Sequence, residues 1–179
     1  FSVRNVGVNV APASWFDAVY LSPVPFWSSQ AIQLGRTSKS TLLIPGAGYA
    51  ATLTADLPGV MPGEYYILVR TDVFNQVLES DETNNVGISV GTMTVTVPTL
   101  ELGAPEVFAL ARDKSVYRRL AVANAGDALL ISLDSAAAGS FNELYIGYER
   151  MPSRAGFDHV FSRPFSASQD IVIPVTRTG

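Results

Sequence analysis

Apolar and polar positions alternate with a period of two along most of this chain. Leu129, Ile131 and Leu133 share one face of "LLISLD", and Leu144, Ile146 and Tyr148 share one face of "LYIGY". Successive side chains of a strand point to opposite faces, so such runs predict half-buried strands. In "EYYILVRTD", Tyr65, Ile67 and Val69 alternate with Tyr66, Leu68 and Arg70, which predicts a strand covered in part on both faces. "FSVRNV", "WFDAVYLS", "YAATLTADL", "NVGISV", "MTVTV", "SVYRRLAV" and "DIVIPV" read the same way. Between them lie "LPGVMPGE", "ANAGDA", "AAAGSFN" and "RDKS", rich in the Gly, Pro, Asn and Asp of turns. Short strands at this spacing predict an all-β chain of sandwiches. Only "APEVFALARD" is open between a short helix and a strand.

The length of 179 residues suits one large domain or two sandwiches. With 47% hydrophobic and 16% charged residues the chain can bury a core. A net charge of −4, with twelve scattered basic residues of which two are lysine, argues against nucleic acid, which needs a clustered basic surface. Without cysteine there are neither disulfides nor thiolate metal sites. No apolar run is long enough for a membrane span, and no export signal is legible. A Phe at position 1 inside an apparent strand reads as a piece of a longer polypeptide. Pattern weakens after "GTMTVTV" at the stretch holding Pro98, Gly103 and Pro105, which predicts domains at 1–97 and 98–179.

Residues 1–95 carry, in order, "VRNVG", "WFDAVYLS", "LG", "LIPGAGY", "LPGVMPGEYYILVRTD" and "VLESDETNN". This series resembles CARDB, the immunoglobulin-like cell-adhesion-related domain of bacterial surface and secreted proteins. The resemblance implies a first strand ahead of "VRNVG" that is missing here. "FALARDKSVYRRLAVANAGDALLISLDSAAAGSFNELYIGYERMPSRAGFD" is similar to the pre-peptidase C-terminal type of β-sandwich, a jelly-roll-like fold, over about 105–175, and implies a closing strand beyond Gly179. Either the piece is trimmed, or, since unpaired edges recruit strands, a neighbouring chain or segment completes the sheets.

The chemistry that can be read is sparse. His159 in "GFDHVFS" is the sole imidazole, and no G-x-S-x-G, H-E-x-x-H, P-loop or dinucleotide fingerprint is present. No catalytic residue is therefore assigned. "RTDVFNQVLESDETNN" concentrates hard oxygen ligands, and Asp72, Glu79, Asp81, Glu82 and Asn84 are the candidate calcium set. Against this stands a turn in which Asp81 and Asn84 cap backbone N–H groups while Glu79 and Glu82 stay solvated or meet Arg70. Asp134, Asn142 and Glu143 form a second oxygen-rich group. Phe26 and Trp27 in "LSPVPFWSS" are candidate partner contacts, for a sugar ring or for packing. Arg150 and Arg154, among aromatics in "RMPSRAGFDHVFSRPF", are their counterparts in the second half.

These readings converge on a non-catalytic structural, adhesion or assembly module of a large extracellular or cell-surface bacterial protein. Its expected partners are protein, by self-association or through neighbouring domains, or a cell-surface glycan. The alternatives are an accessory glycan- or protein-binding module of a secreted hydrolase or peptidase, and a calcium-stabilised matrix domain.

Overall fold

The computed structural model describes residues 1–179 except Ala13 and Ala138. Among the described residues there is no α-helix, and the fold is all-β in several sheets. The chain forms two compact units, one of residues 1–58 and 62–95, the other of residues 59–61 and 96–179.

The first unit is built around β2 (Trp15–Ser22) and β5 (Gly63–Arg70). They lie at the centre of a five-stranded antiparallel sheet with β3 (Ile32–Lys39) and β6 (Val86–Ile88) outside them, and β7 (Met93–Val95) pairs the start of β5. A second, two-stranded ribbon joins β1 (Ser2–Arg4) to β4 (Gly48–Ala50). Gly48 belongs in that ribbon for a steric reason: a Cβ there would stand 2.8 Å from the Val3 carbonyl oxygen.

Alternation gives β2 two different faces. Trp15 packs with Leu43 and Val77, against Ala47 and Tyr49 of the ribbon side, and this is the inner core. Ala18 and Tyr20 face the other way and join Leu68 in a second cluster, partly covered by Ala31, Tyr66 and Val73. Burial on both sides explains why "WFDAVYLS" has a single exposed position, Phe16. Leu21 and Leu68 are fully buried, each stabilising the sheet by about 1.5–3 kcal/mol. The register sets Ala18 opposite Arg36 on β3 and opposite Arg70 on β5, and a bulge interrupts the β2–β3 pairing between Val19 and Tyr20.

The second unit contains three short ladders. β8 (Thr99–Leu100) runs parallel to β9 (Arg119–Leu120), β11 (Tyr145–Ile146) pairs β12 (His159–Val160), and β10 (Leu129–Leu133) pairs β13 (Gln169–Ile173). Ile131 faces Ile171 across the last of these, and Leu133 faces Gln169. The fully buried Gln169 amide donates to the carbonyls of Asn142, Arg163 and Ser166 at 2.8, 2.7 and 3.1 Å, so one side chain ties the loops around this ladder.

Three segments depart from the sequence pattern. "APEVFALARD" forms neither helix nor strand. The run from Tyr49 keeps its ladder only to Ala50. Conversely "IQLGRTSK" is an eight-residue strand although its alternation is poor, because its bulge breaks the period and its outer positions are polar.

Candidate functional site

The acidic stretch follows β5 directly. Its mouth is closed by the Thr71 N–H donating to the Asn85 carbonyl at 2.9 Å and by the Thr71 hydroxyl donating to the Asn85 side-chain oxygen at 3.2 Å. Asp72 is buried in the left-handed region at φ 43°. Its carboxylate accepts the N–H groups of Gln76 and Val77, both at 2.7 Å. The Asn85 amide donates to Glu79 at 2.7 Å and to Glu82 at 3.0 Å, so these two carboxylates are brought together on a neutral donor. Asp81 caps the 3₁₀ turn Glu82–Asn84, accepting the Thr83 N–H at 2.9 Å and the Thr83 hydroxyl at 2.5 Å. Those bonds, the hydroxyl first, hold its carboxyl below the usual carboxylate range. Asn84 sits inside that turn. Among the described residues, no group of three or more His, Asp or Glu side chains is arranged to hold a metal ion.

Phe26 and Trp27 lie in the loop after β2 and remain 56% and 42% exposed. The Trp27 ring meets Tyr20 edge-on at 4.6 Å, and the Arg70 guanidinium stands over it at 5.3 Å. Arg70 therefore faces an aromatic ring rather than the acidic loop. Arg36 repeats the arrangement, 5.9 Å from the Phe16 ring and 5.3 Å from that of Phe74, which themselves meet edge-on at 5.7 Å.

In the second unit each candidate arginine has an acidic partner. Arg150 bonds Asp158 at 3.1 Å, and Asp158 also accepts the Tyr148 N–H at 2.8 Å, the main cause of its lowered pKa. Arg154 holds Glu143 through two bonds of 2.7 and 3.0 Å, which keeps Glu143 below the usual range. Asn142 donates instead to the Ala167 carbonyl at 2.7 Å. His159 is half-buried on β12 opposite Ile146, while the flanking Phe157 and Phe161 rings both pack on Tyr145, at 5.5 and 5.6 Å.

Two features escape the sequence reading. Asp17 is buried on the inner face of β2 and receives the Tyr49 hydroxyl and the Trp15 indole N–H. Its place beside Trp15, Val19 and Leu21 follows from the period of two and was the available signal. Arg36 emerges only from the β2–β3 register, which alternation in "IQLGRTSK" does not disclose.

Nothing among curated proteins or solved structures matches this chain. Its described residues include no helix long and apolar enough to cross a membrane. A family model does match: residues 1–89 of the 179 are similar to CARDB, a non-catalytic, adhesion-related bacterial domain with an immunoglobulin-like β-sandwich fold.

Proposed function

We propose that this chain is a non-catalytic adhesion and spacing segment of a larger bacterial protein that is secreted or displayed at the cell surface. The CARDB likeness of residues 1–89 carries the reading. The polar chemistry supports it: Asp17, Asp72 and Asn85, the buried acids and amide nearest the acidic loop, are each engaged by neighbouring protein groups. Residues 1–97 and 98–179 serve as two sandwiches in tandem, the second of the pre-peptidase C-terminal type. The acidic loop is a turn closed by its own hydrogen bonds, needing no calcium. The outer edges of the β1–β4 ribbon, unpaired among the described residues, suit assembly by strand addition from a neighbour.

The exposed Phe26 and Trp27 rings favour a second reading, an accessory module that holds substrate for a hydrolase or peptidase domain of the same polypeptide. The test couples purified protein to inert beads and scores attachment to bacterial cells, with sedimentation of the free protein in parallel. Attachment or self-association is expected. Beads that stay bare with a protein that stays monomeric, or turnover of a hydrolase or peptidase substrate by the pure chain, would defeat the adhesion reading.

A further inference from the structure

The outer face of the five-stranded sheet holds five side chains that stay at least partly exposed, Phe16, Trp27, Arg36, Arg70 and Phe74, around the buried Ala18 and Tyr20. Along β2, Phe16, Ala18 and Tyr20 point outward at successive strand repeats, so Phe16 and Tyr20 stand roughly 13 Å apart. Ala18, between them, contributes only a methyl group, and the register places Arg36 and Arg70 on either side of it. With neighbouring strands about 4.8 Å apart, the two arginines start on the order of 10 Å from each other. Phe16 and Phe74 flank the Arg36 guanidinium, while that of Arg70 stands over Trp27, whose ring meets Tyr20 edge-on.

Among the described residues, the arginines in ion pairs lie in the second unit, at Arg112, Arg118, Arg150, Arg154 and Arg163. Arg36 and Arg70 have aromatic rings against them and, among the described residues, no carboxylate in ion-pair contact. A guanidinium resting on a ring still presents its N–H edge, which matches a carboxylate with two parallel hydrogen bonds. Phe16, Phe74 and Trp27 beside them are 38%, 53% and 42% exposed. In a chain with net charge −4, this is a cationic patch with apolar walls.

We propose that this face binds an acidic polysaccharide, its carboxylates on Arg36 and Arg70 and the apolar faces of its sugar rings against Trp27 and the Phe16–Phe74 pair. The charge selects an anionic ligand. The position selects a sugar polymer over a peptide: the rings and guanidiniums lie across the face over β2 and β5, interior strands with both neighbours in place, whereas an extended peptide would gain affinity by strand addition along the outer edge of β3. Ring stacking and charge are what remain, and a polyuronate carries both. The inference deepens the adhesion reading by naming the ligand class of one surface, and it rests on that reading.

The test is calorimetric titration of the full chain with polygalacturonate, with its fully methyl-esterified form, and with polyglutamate. Binding is expected for polygalacturonate alone, weakening as salt is raised because exposed charges are screened. Arg36→Gln with Arg70→Gln should weaken it by about tenfold or more with the melting temperature kept. If that pair fails to fold, Trp27→Ala and the double lysine variant stand in, both expected to weaken binding, since lysine keeps charge without the planar fork. Equal binding of the ester, equal binding of polyglutamate, no binding of polygalacturonate, or indifference to these substitutions would each overturn the proposal. A dimer that dissolves in the arginine variants would overturn it in favour of a second copy of the chain. Cell attachment by wild-type beads in the absence of polyuronate binding would sink this inference and leave the adhesion reading standing.

Discussion

The Tyr49 hydroxyl donates to the carboxylate of Asp17 across the two layers of the first unit, joining β4 to β2. Asp17 is 1% exposed, and its other oxygen accepts the Trp15 indole N–H at 3.2 Å and the Asp72 N–H at 3.4 Å. A carboxylate taken from water needs these donors, because burial without them leaves its desolvation unrecovered. Tyr49→Phe removes one donor and leaves the acid in place, so it should destabilise the unit by about 1–3 kcal/mol. Asp17→Asn combined with Tyr49→Phe should be less harmful than the sum of the two singles, since the charge that needs the hydroxyl is gone. Denaturant unfolding of the four proteins checks both statements.

The same acid makes stability depend on pH. Burial, the dominant influence, pushes the Asp17 carboxyl above the usual carboxylate range, outweighing the hydrogen bonds that pull it down. The folded state therefore holds its proton more tightly than the unfolded chain does. That contribution is fully present below the unfolded carboxylate pKa of about 4 and is lost as pH rises through the higher folded value. Glu64, Asp81, Glu106, Glu143 and Asp158, whose carboxyls are lowered, act with the opposite sign. Comparing wild type with Asp17→Asn isolates the one acid. The variant should gain stability relative to wild type as pH climbs from about 4 to about 7, and a pH-independent difference would contradict this account.

Asp72 is the other buried acid, and its role is to hold the loop. Asp72→Ala strips the acceptor from two N–H groups, of which that of Val77 lies in the core, and should destabilise by about 1–3 kcal/mol. Alanine is also poorly suited to the left-handed φ of 43°. Asp72→Asn keeps one acceptor oxygen and tolerates that conformation, so its effect should be clearly smaller. Thermal melting of the pair decides.

Gly48 tests the closeness of β1 and β4. Any Cβ at that position presses on a backbone oxygen that cannot rotate away. Gly48→Ala should therefore lower stability by about 1–3 kcal/mol, whereas Gly87→Ala, where a Cβ meets nothing within 4 Å, should change it little. Equal melting temperatures for the two variants would contradict the close contact.

How far the sequence spoke depended on burial. β2 and β5, covered on both faces, kept their apolar runs intact and were readable to within a residue or two. β3 hid because a bulge and polar outer positions erased its period. In the second unit, "SVYRRLAV" and "LYIGY" read as strands, and each does hold one, but β9 and β11 are only two residues long, and the long stretches between the ladders are held by single side chains such as Gln169. Partnerships were the least legible part. The loop reading leaves Glu79 and Glu82 solvated or against an arginine such as Arg70, whereas those acids meet Asn85 and Arg70 stands over Trp27. Loop spacing lists the available groups; only the register of the flanking strands fixes which of them meet.

The acidic loop makes the last prediction. Calcium takes six to eight oxygens at about 2.3–2.6 Å, so its ligands must converge with their lone pairs free. Here Asp72 spends its two oxygens on Gln76 and Val77, Asp81 is engaged by Thr83, and Glu79 and Glu82 share the Asn85 amide. Gathering them around a cation would break the bonds that shape the turn. Neither millimolar calcium nor a chelator should shift the melting temperature, and Asn85→Ala, which frees Glu79 and Glu82 to repel each other, should lower it. A rise in melting temperature with calcium that Glu79→Gln or Glu82→Gln abolishes would show instead that the loop reorganises around a metal, with the Asn85 amide acting as a placeholder for the ion.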